Sequence, residues 1–385
     1  MNILCVANEF GESAAGIVYE TIVKELAVDN SVYILYPNCS RCIKYNCVDS
    51  NSLRNIPYNI NWRLSNLSAT ILGCNIVDVL KSKKLTRTID LTNIPKIDFI
   101  LSFVSQQKYF GLMVGRSLSK RLRTKWAVYS VDAIPAPFTW DKNYIRRRNV
   151  SFVFRMLTRK CDLFMSANPQ MLQYQLEVLR DFQGRAMVLY TPTSRIEMSD
   201  EDNINESPVF LFAGNVYGRR RIDVLLKAFR LLVSDIPEAK LIFVGQVPTD
   251  YFTDYNDLIQ NKNIEIHAYT KSLEKFYKIA TVLLDINADT PNDVFLSSKI
   301  INYLSIHKPI VCISGENSPA QNLFTLDDTI FHCLHNVESI LSAMKKAVEC
   351  QGISEMRNYY KEKFSAQQIC KILIEEIHSI IEEYE

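Results

Sequence analysis

Three turns in the sequence combine small residues, hydroxyls and cations in a pattern that suits a phosphorylated ligand. The turn Gly214-Asn215-Val216-Tyr217-Gly218-Arg219-Arg220-Arg221 follows the apolar run Val209 to Ala213 and leads into a helical stretch with Asp223 near its start. Glycine at a strand end lets a ligand approach the backbone, and a guanidinium beside a helix start can pair two oxygens of a diphosphate at once. Three consecutive arginines cannot all point inward, so at least one is expected on phosphate and the rest in solvent. A second turn runs from Ile286 to Lys299. Its Ser297-Ser298 pair suits a helix cap, and Lys299 in the first turn opposes the helix dipole, a small cost that a bound anion would offset. The third turn, Asn8 to Gly16, contains Gly11, Glu12, Ser13 and Gly16 and reads either as a ligand-binding turn or as a loop with a packing glycine. It is not G-x-G-x-x-G, and no carboxylate follows on the next strand, Ser31 to Tyr36, which disfavours nicotinamide chemistry.

Acid–base candidates in the first half are few, because the first histidine is His267. Asp132, ending the run Trp126 to Val131, and Glu9 and Glu12 are the carboxylates placed to touch a reacting hydroxyl. Asp132 suits equally well a structural task, capping the turn before Pro135. Cys39, Cys42 and Cys47 form the one cysteine cluster, without a fourth ligand or a nearby histidine, so thiols in a surface loop are favoured over a metal site. No metal or other cofactor is expected.

These turns need strands and helices to hold them, and the sequence supplies both. Short runs rich in Val, Ile, Leu and Phe alternate with segments of helical period, the signature of parallel α/β architecture. Strands are expected at Asn2 to Ala7, Ser31 to Tyr36, Asp98 to Phe103, Trp126 to Val131, Asp162 to Ser166 and Ala186 to Tyr190. Helices fit at 17–27, 66–80, 110–122, 145–159 and 169–179. Residues 191–207 are polar, acidic and aperiodic, a linker by composition. Alternation then restarts, with strands at Val209 to Ala213, Leu241 to Val244, Ile264 to Ile266, Val282 to Asp285 and Ile310 to Ile313. A chain of 385 residues, at about 150 per domain, agrees with two domains. The expected fold is therefore α/β, two Rossmann-like, doubly wound domains facing a cleft: 1–190, the linker 191–207, and 208–355. Residues 356–385 read as amphipathic helix, with Ile369, Leu373, Ile377 and Ile380 on one face, packing back toward the first domain.

With 44 Lys+Arg against 42 Asp+Glu, no overall field recruits nucleic acid, and no nucleic-acid-binding motif is present. Hydrophobic residues at 48% and charged residues at 22% exclude disorder and coiled coil as the dominant state. No apolar run reaches the roughly 18 to 20 residues of a membrane span, and Met1-Asn2-Ile3-Leu4 opens directly into a strand, which predicts a cytoplasmic protein.

Two segments carry a family resemblance. Phe212-Ala213-Gly214-Asn215 through Arg220 to Asp223-Val224-Leu225-Leu226-Lys227-Ala228-Phe229 resembles the start of the donor domain in GT-B glycosyltransferases, particularly family 4. Ser298-Lys299-Ile300-Ile301-Asn302-Tyr303-Leu304, continuing to Lys308-Pro309-Ile310, is similar to that family's second donor segment. The resemblance covers most of residues 208–385 and is only architectural before that. It implies transfer of a sugar from a UDP- or GDP-sugar, retaining and metal-independent, to a glycan or lipid-linked acceptor in surface-polysaccharide assembly. By position it implies that Arg220 neutralises the donor diphosphate, that Lys299 is the second donor cation, and that Gly214 and Ser298 lie at the phosphates. Asn302 stands where the family has a ribose-binding Glu, and Asn215 stands where it has an Arg, with Arg219 placed to compensate. The acceptor falls mainly to the first domain, to Asp132 and the loop with Gly11, Glu12, Ser13 and Gly16. Two rivals remain: a non-catalytic GT-B-like protein binding a glycan or a partner, and a nucleotide-sugar epimerase, disfavoured by the scarcity of acid–base residues in the first half.

Between Arg116 and Lys160 twelve basic residues face only Asp132 and Asp141. Interleaved with Leu118, Leu122, Trp126, Phe138 and Trp140, they predict a face that rests on anionic lipid at the inner side of the cell membrane, with a plain solvated face as the bland alternative.

Overall fold

The computed structural model describes residues 1–11, 13–37, 46–47, 62–92, 94–106, 108–193, 207–270, 272–350, 352 and 354–383. Contacts divide the chain into two units, 1–192 with 365–385, and 193–364. Most of the polar stretch read as a linker lies outside the described residues, as do Glu12, Cys39 and Cys42.

The first unit begins β1 (Asn2–Val6), α1 (Ala14–Asp29), β2 (Ser31–Leu35), β3 (Asn46–Cys47), α2 (Trp62–Leu72), α3 (Ile76–Thr88) and β4 (Phe99–Val104). It continues with α4 (Phe110–Leu122), β5 (Lys125–Ser130), α5 (Tyr144–Thr158), β6 (Leu163–Ser166), α6 (Pro169–Leu179) and β7 (Arg185–Val188). All pairings are parallel, in the order β3-β2-β1-β4-β5-β6-β7. Along β1 the twofold period splits the core: Ile3 and Cys5 face one layer with α1, while Leu4 and Val6 face the other with α4. A strand buried on both faces must be apolar throughout, which is why β1, β4, β5 and β6 were legible as continuous runs. The single helix expected over 66–80 is two, because Gly73 turns the chain at φ 71° and Asn75 caps α3 through the Val77 N–H.

The second unit runs β8 (Val209–Ala213), α7 (Asp223–Asp235), β9 (Lys240–Val244), α8 (Asn256–Gln260), β10 (Ile264–His267), α9 (Glu274–Ile279) and β11 (Val282–Ile286). Then come α10 (Ser298–Tyr303), β12 (Ile310–Ile313), α11 (Pro319–Leu323), β13 (Ile330–Cys333), α12 (Val337–Glu349) and α13 (Glu355–Lys363). Its parallel sheet has the order β10-β9-β8-β11-β12-β13. The one C-terminal helix expected is therefore two. Phe364 closes the first, and Ser365 caps α14 (Ala366–Glu382), which belongs to the first unit. Ile369, Leu373, Ile377 and Ile380 of α14 are buried in the same core as Ile22 and Leu26 of α1. Arg185 of β7 pairs with Glu376 at 2.9 Å. Only α14 returns to the first unit, because Arg357 is locked inside the second.

The basic stretch 116–160 does not form the single face expected of it. Leu118 and Trp126 lie in the core, where the Trp126 indole N–H donates to Ser102 Oγ at 2.8 Å. Lys125 pairs with Asp162 and Arg146 with Asp141. Among the described residues no helix is long and apolar enough to cross a membrane.

Candidate functional site

Each sheet reverses its winding direction once, between β1 and β4 in the first unit and between β8 and β11 in the second. Adjacent strands there send their following turns to opposite faces and open a crevice at the carboxyl ends, where ligands of doubly wound sheets bind. The Gly214 turn follows β8 and the Ile286 to Lys299 segment follows β11, so two of the turns singled out by composition meet at one switch point. Backbone pairing joins them: Arg220 bridges Ala288, and the Asp289 N–H donates to the Arg219 carbonyl at 3.2 Å.

The three arginines separate by role. Arg221 is tied to Asp223 at 2.6 Å and lies 4.0 Å from Asp289. Arg220 stacks its guanidinium 4.8 Å from the Tyr217 ring centroid, and its Nε is buried without a hydrogen-bond partner. Among the described residues neither Arg219 nor Arg220 enters an ion pair. Lys299 lies against the bare backbone of Gly214, its ammonium 5.5 Å from the Phe212 ring centroid, with no carboxylate paired to it among the described residues. Burial first, and then the Arg220 charge, push the Lys299 ammonium down to about 8, while the Asp285 carboxylate partly opposes them.

A buried polar ladder underlies this cation pair. Asp285, at the end of β11, accepts from Ser297 Oγ at 2.6 Å and Asn287 Nδ2 at 2.7 Å. Ser297 in turn caps α10, its oxygen accepting the Lys299 N–H at 3.2 Å. The cap is thus Ser297 alone, and Ser298 is exposed in the first turn. Asn302 follows Lys299 by three residues and so shares its side of α10. Asn215 serves the loop itself, its Oδ1 accepting the Gln246 N–H at 2.9 Å.

A Cβ at Gly214 would lie 2.0 Å from Lys299 Cε. The obstacle is a flexible side chain, but the backbone there holds φ 159°, where a side chain is strained, so Gly214→Ala is expected to lower the melting temperature, push Lys299 aside and weaken binding of a diphosphate at least fivefold. Titration calorimetry with a thermal melt checks both halves.

In the first unit the switch point brings the turn after β1 to the turn after β4. There Glu9 accepts from Lys108 Nζ at 2.7 Å and from Ser13 Oγ at 2.8 Å, and the Ser13 oxygen caps α1 through the Gly16 N–H at 3.1 Å. Gly11 turns at φ 71°, and its N–H donates to the Gly16 carbonyl at 3.0 Å. A Cβ on Gly16 would sit 3.1 Å from the Gly11 nitrogen, so Gly16 answers to backbone packing. Asp132 follows β5, partly buried. Burial raises its carboxyl to about 6, against the opposing Lys108 charge and a hydrogen bond from the Gln106 backbone.

Sequence reasoning missed Lys108 and the Asp285–Ser297 pair. A lone carboxylate ending the apolar run Val282 to Ile286 was the available signal for Asp285, since a buried Asp must be satisfied. Among the described residues no group of three His, Cys, Asp or Glu side chains could hold a metal ion.

The strand orders and the two switch points place the chain in the GT-B class, two Rossmann-like domains. Residues 194–365, nearly the whole span of the second unit, match the family model Glycosyl transferases group 1, a match that supports an enzyme of glycosyltransferase type. No curated protein matches the chain by sequence. Among solved structures it is similar to Anabaena Alr3699/HepE in complex with UDP and glucose, at TM-score 0.62 and 12% identity over 98% of this chain and 99% of that one. It is also similar to a glycosyltransferase from Rickettsia africae, at TM-score 0.65 and 13% identity over 99% of this chain and 98% of that one. The lipopolysaccharide outer core galactosyltransferase WaaB aligns at TM-score 0.60 and 12% identity, over 98% of this chain and 99% of that one. At such identities the likeness is one of fold.

Proposed function

We propose that the protein transfers a sugar from a nucleotide-sugar donor, a UDP- or GDP-sugar, to a glycan or lipid-linked acceptor. The observation that carries this is the Arg220 and Lys299 pair, two neighbouring cations without a carboxylate partner at a switch point. Like charges held together in a partly buried turn are unfavourable until an anion of at least two charges lies against them, and a diphosphate is such an anion. Gly214, Arg219, Ser298 and Asn302 complete the donor side, Asn302 toward the ribose hydroxyls. Asp132 and the loop of Gly11, Glu12, Ser13 and Gly16 take the acceptor side, and a carboxyl near 6 is suited to act as a base close to neutral pH. The reaction we assign is retaining and metal-independent, the two cations stabilising the leaving diphosphate while the donor phosphate helps deprotonate the acceptor. Surface-polysaccharide assembly by a cytoplasmic protein resting on the inner membrane face fits a lipid-linked acceptor. The UDP and glucose held by the Anabaena structure, of the same fold, support the donor class.

Calorimetry with UDP, GDP and their sugars tests the reading. One of the nucleotides should bind, and failure of all of them would sink it. Binding without turnover against any acceptor would favour the non-catalytic alternative. The pH dependence is specific. Lys299 must be protonated to pair with phosphate, and a bound diphosphate retains that proton. Affinity should therefore hold level near pH 7, fall as pH rises past about 8, and approach tenfold per unit, with about half a proton taken up per binding event at pH 8. Lys299→Arg should flatten this profile. A level profile from pH 7 to 10 in the unmodified protein would remove Lys299 from the site.

A further inference from the structure

We infer that the outward faces of α2 and α5 form the surface by which this protein rests on an anionic lipid bilayer. The inference refines the membrane part of the reading above and relocates it, because the 116–160 run as a whole is not one face. Two helices, one of them outside that run, carry it instead.

On α5 and its C-cap the exposed residues recur at helical spacing as Ile145, Arg148, Phe152, Met156 and Arg159, a stripe of apolar side chains interspersed with cations. Phe152 is 54% exposed and Ile145 57% exposed, far from the usual condition of such residues. The opposite side of α5 supplies Val150 and Phe154 to the core. α2 repeats the arrangement: Ala69 is buried, while Leu64, Leu67 and Ile71 face outward, Ile71 at 62%. The two helices are bound side by side, for Asn149 Nδ2 of α5 donates to the Thr70 carbonyl at 2.8 Å and the Ile71 carbonyl at 3.1 Å. Their adjoining backbones leave no room for a Cβ at Gly73, which would meet the Asn149 carbonyl.

Charge decides the occupant. Neither α2 nor α5 contains an acidic residue. Asp141, just before α5, is engaged with Arg146, which leaves Arg148, Arg159 and Lys160 exposed beside the apolar stripe. Apolar side chains flanked only by cations match a surface with a hydrocarbon interior and anionic headgroups, which both terms attract at once. A protein partner of ordinary composition would meet the same cations without a matching negative sheet. A contiguous apolar area of this kind is rare on a surface left in water.

The test uses the full chain and vesicles of phosphatidylcholine with or without about 30% phosphatidylglycerol, by flotation. Binding to the anionic vesicles is expected, weakened by salt. Paired substitution Ile71→Glu with Phe152→Glu, at exposed positions, should reduce it at least tenfold while leaving nucleotide binding and the thermal melt unchanged. Arg148→Glu should lower only the anionic preference. Absence of any binding to anionic vesicles overturns the membrane reading altogether. Binding that survives the paired substitution but is lost with Lys120→Glu and Arg123→Glu on the α4 side overturns the α2–α5 assignment alone. Concentration-dependent dimerisation abolished by the paired substitution, without vesicle binding, would give this face to a second copy instead.

Discussion

Lys299→Met and Arg220→Met should each weaken nucleotide binding by about 10- to 100-fold, and Lys299→Met should do so without lowering the melting temperature. Charge-assisted hydrogen bonds to phosphate contribute about 1.5–3 kcal/mol each, which sets that range. Turnover should fall further, by about 10²- to 10³-fold, because charge on the leaving diphosphate grows in the transition state and each cation stabilises it more there than in the ground state. The stability half follows from the sign of the titration. The folded-state value of Lys299 lies below its unfolded value, so between about 8 and 10.5 the unfolded chain holds more protons and stability rises with pH. Below that window the charged ammonium sits unpaired beside Arg220 and weakens the free protein. Removing it should leave the free protein as stable or more stable at pH 7, which a lysine serving the fold would not do. Loss of binding together with a lowered melting temperature would assign Lys299 a structural task. The double variant should lose less than the sum of the single losses, because both cations address the same group of oxygens.

How far the site was legible depended on whether its parts were local in sequence. Arg220 and Lys299 each declared themselves as a cation at the start of a helix following a strand, a pattern contained within about ten residues. The support beneath Lys299 did not. Asp285 and Ser297 are twelve residues apart, and their hydrogen bond requires that α10 fold back over the end of β11. Glu9 and Lys108 lie still farther apart in the chain and meet only because β1 and β4 are neighbours. Hydrophobic period identifies strands but not their order, so a doubly wound sheet could be expected while the strands that form each switch point could not be named. Elements fared by the same rule. Long buried strands were legible, whereas β3, two residues of Asn and Cys, carries no period at all. The basic run misled because charge was counted along the chain. In space Trp126 turns inward, Lys125 and Arg146 find carboxylates, and the apolar residues exposed beside the remaining cations include those of α2, in a segment with one arginine.

Arg357→Met should destabilise the second unit by about 3–5 kcal/mol, the largest stability effect available to one substitution outside the apolar core. Arg357 is 1% exposed, and its Nε donates to Asp327 Oδ2 at 2.6 Å. Its other nitrogens reach Thr329 Oγ1 at 2.7 Å and the carbonyls of Ile306 and Lys308 at 3.2 and 3.1 Å. One side chain on α13 thereby holds the turn that leaves α10 and the strand entry at β13. Truncating it leaves the buried Asp327 charge without its cation, its Oδ1 still held by Thr329 but its Oδ2 bare, and takes the guanidinium from the Lys308 carbonyl; the desolvation of those groups, rather than the loss of attraction, sets the magnitude. The effect can be read on the second unit alone, because all three tryptophans, Trp62, Trp126 and Trp140, belong to the first. In urea, far-ultraviolet dichroism should lose part of its amplitude roughly 1 to 3 M earlier, while tryptophan emission changes where it did before. Pairing Arg357→Met with Asp327→Leu should recover part of the loss, since no charge is then left buried. Because the Ile306 and Lys308 carbonyls belong to the exit of the helix that carries Lys299, the single variant should also weaken nucleotide binding at urea concentrations where the unit remains folded. Unchanged unfolding in Arg357→Met would mean that water or a rearranged neighbour satisfies Asp327, and that the second unit does not depend on this pair.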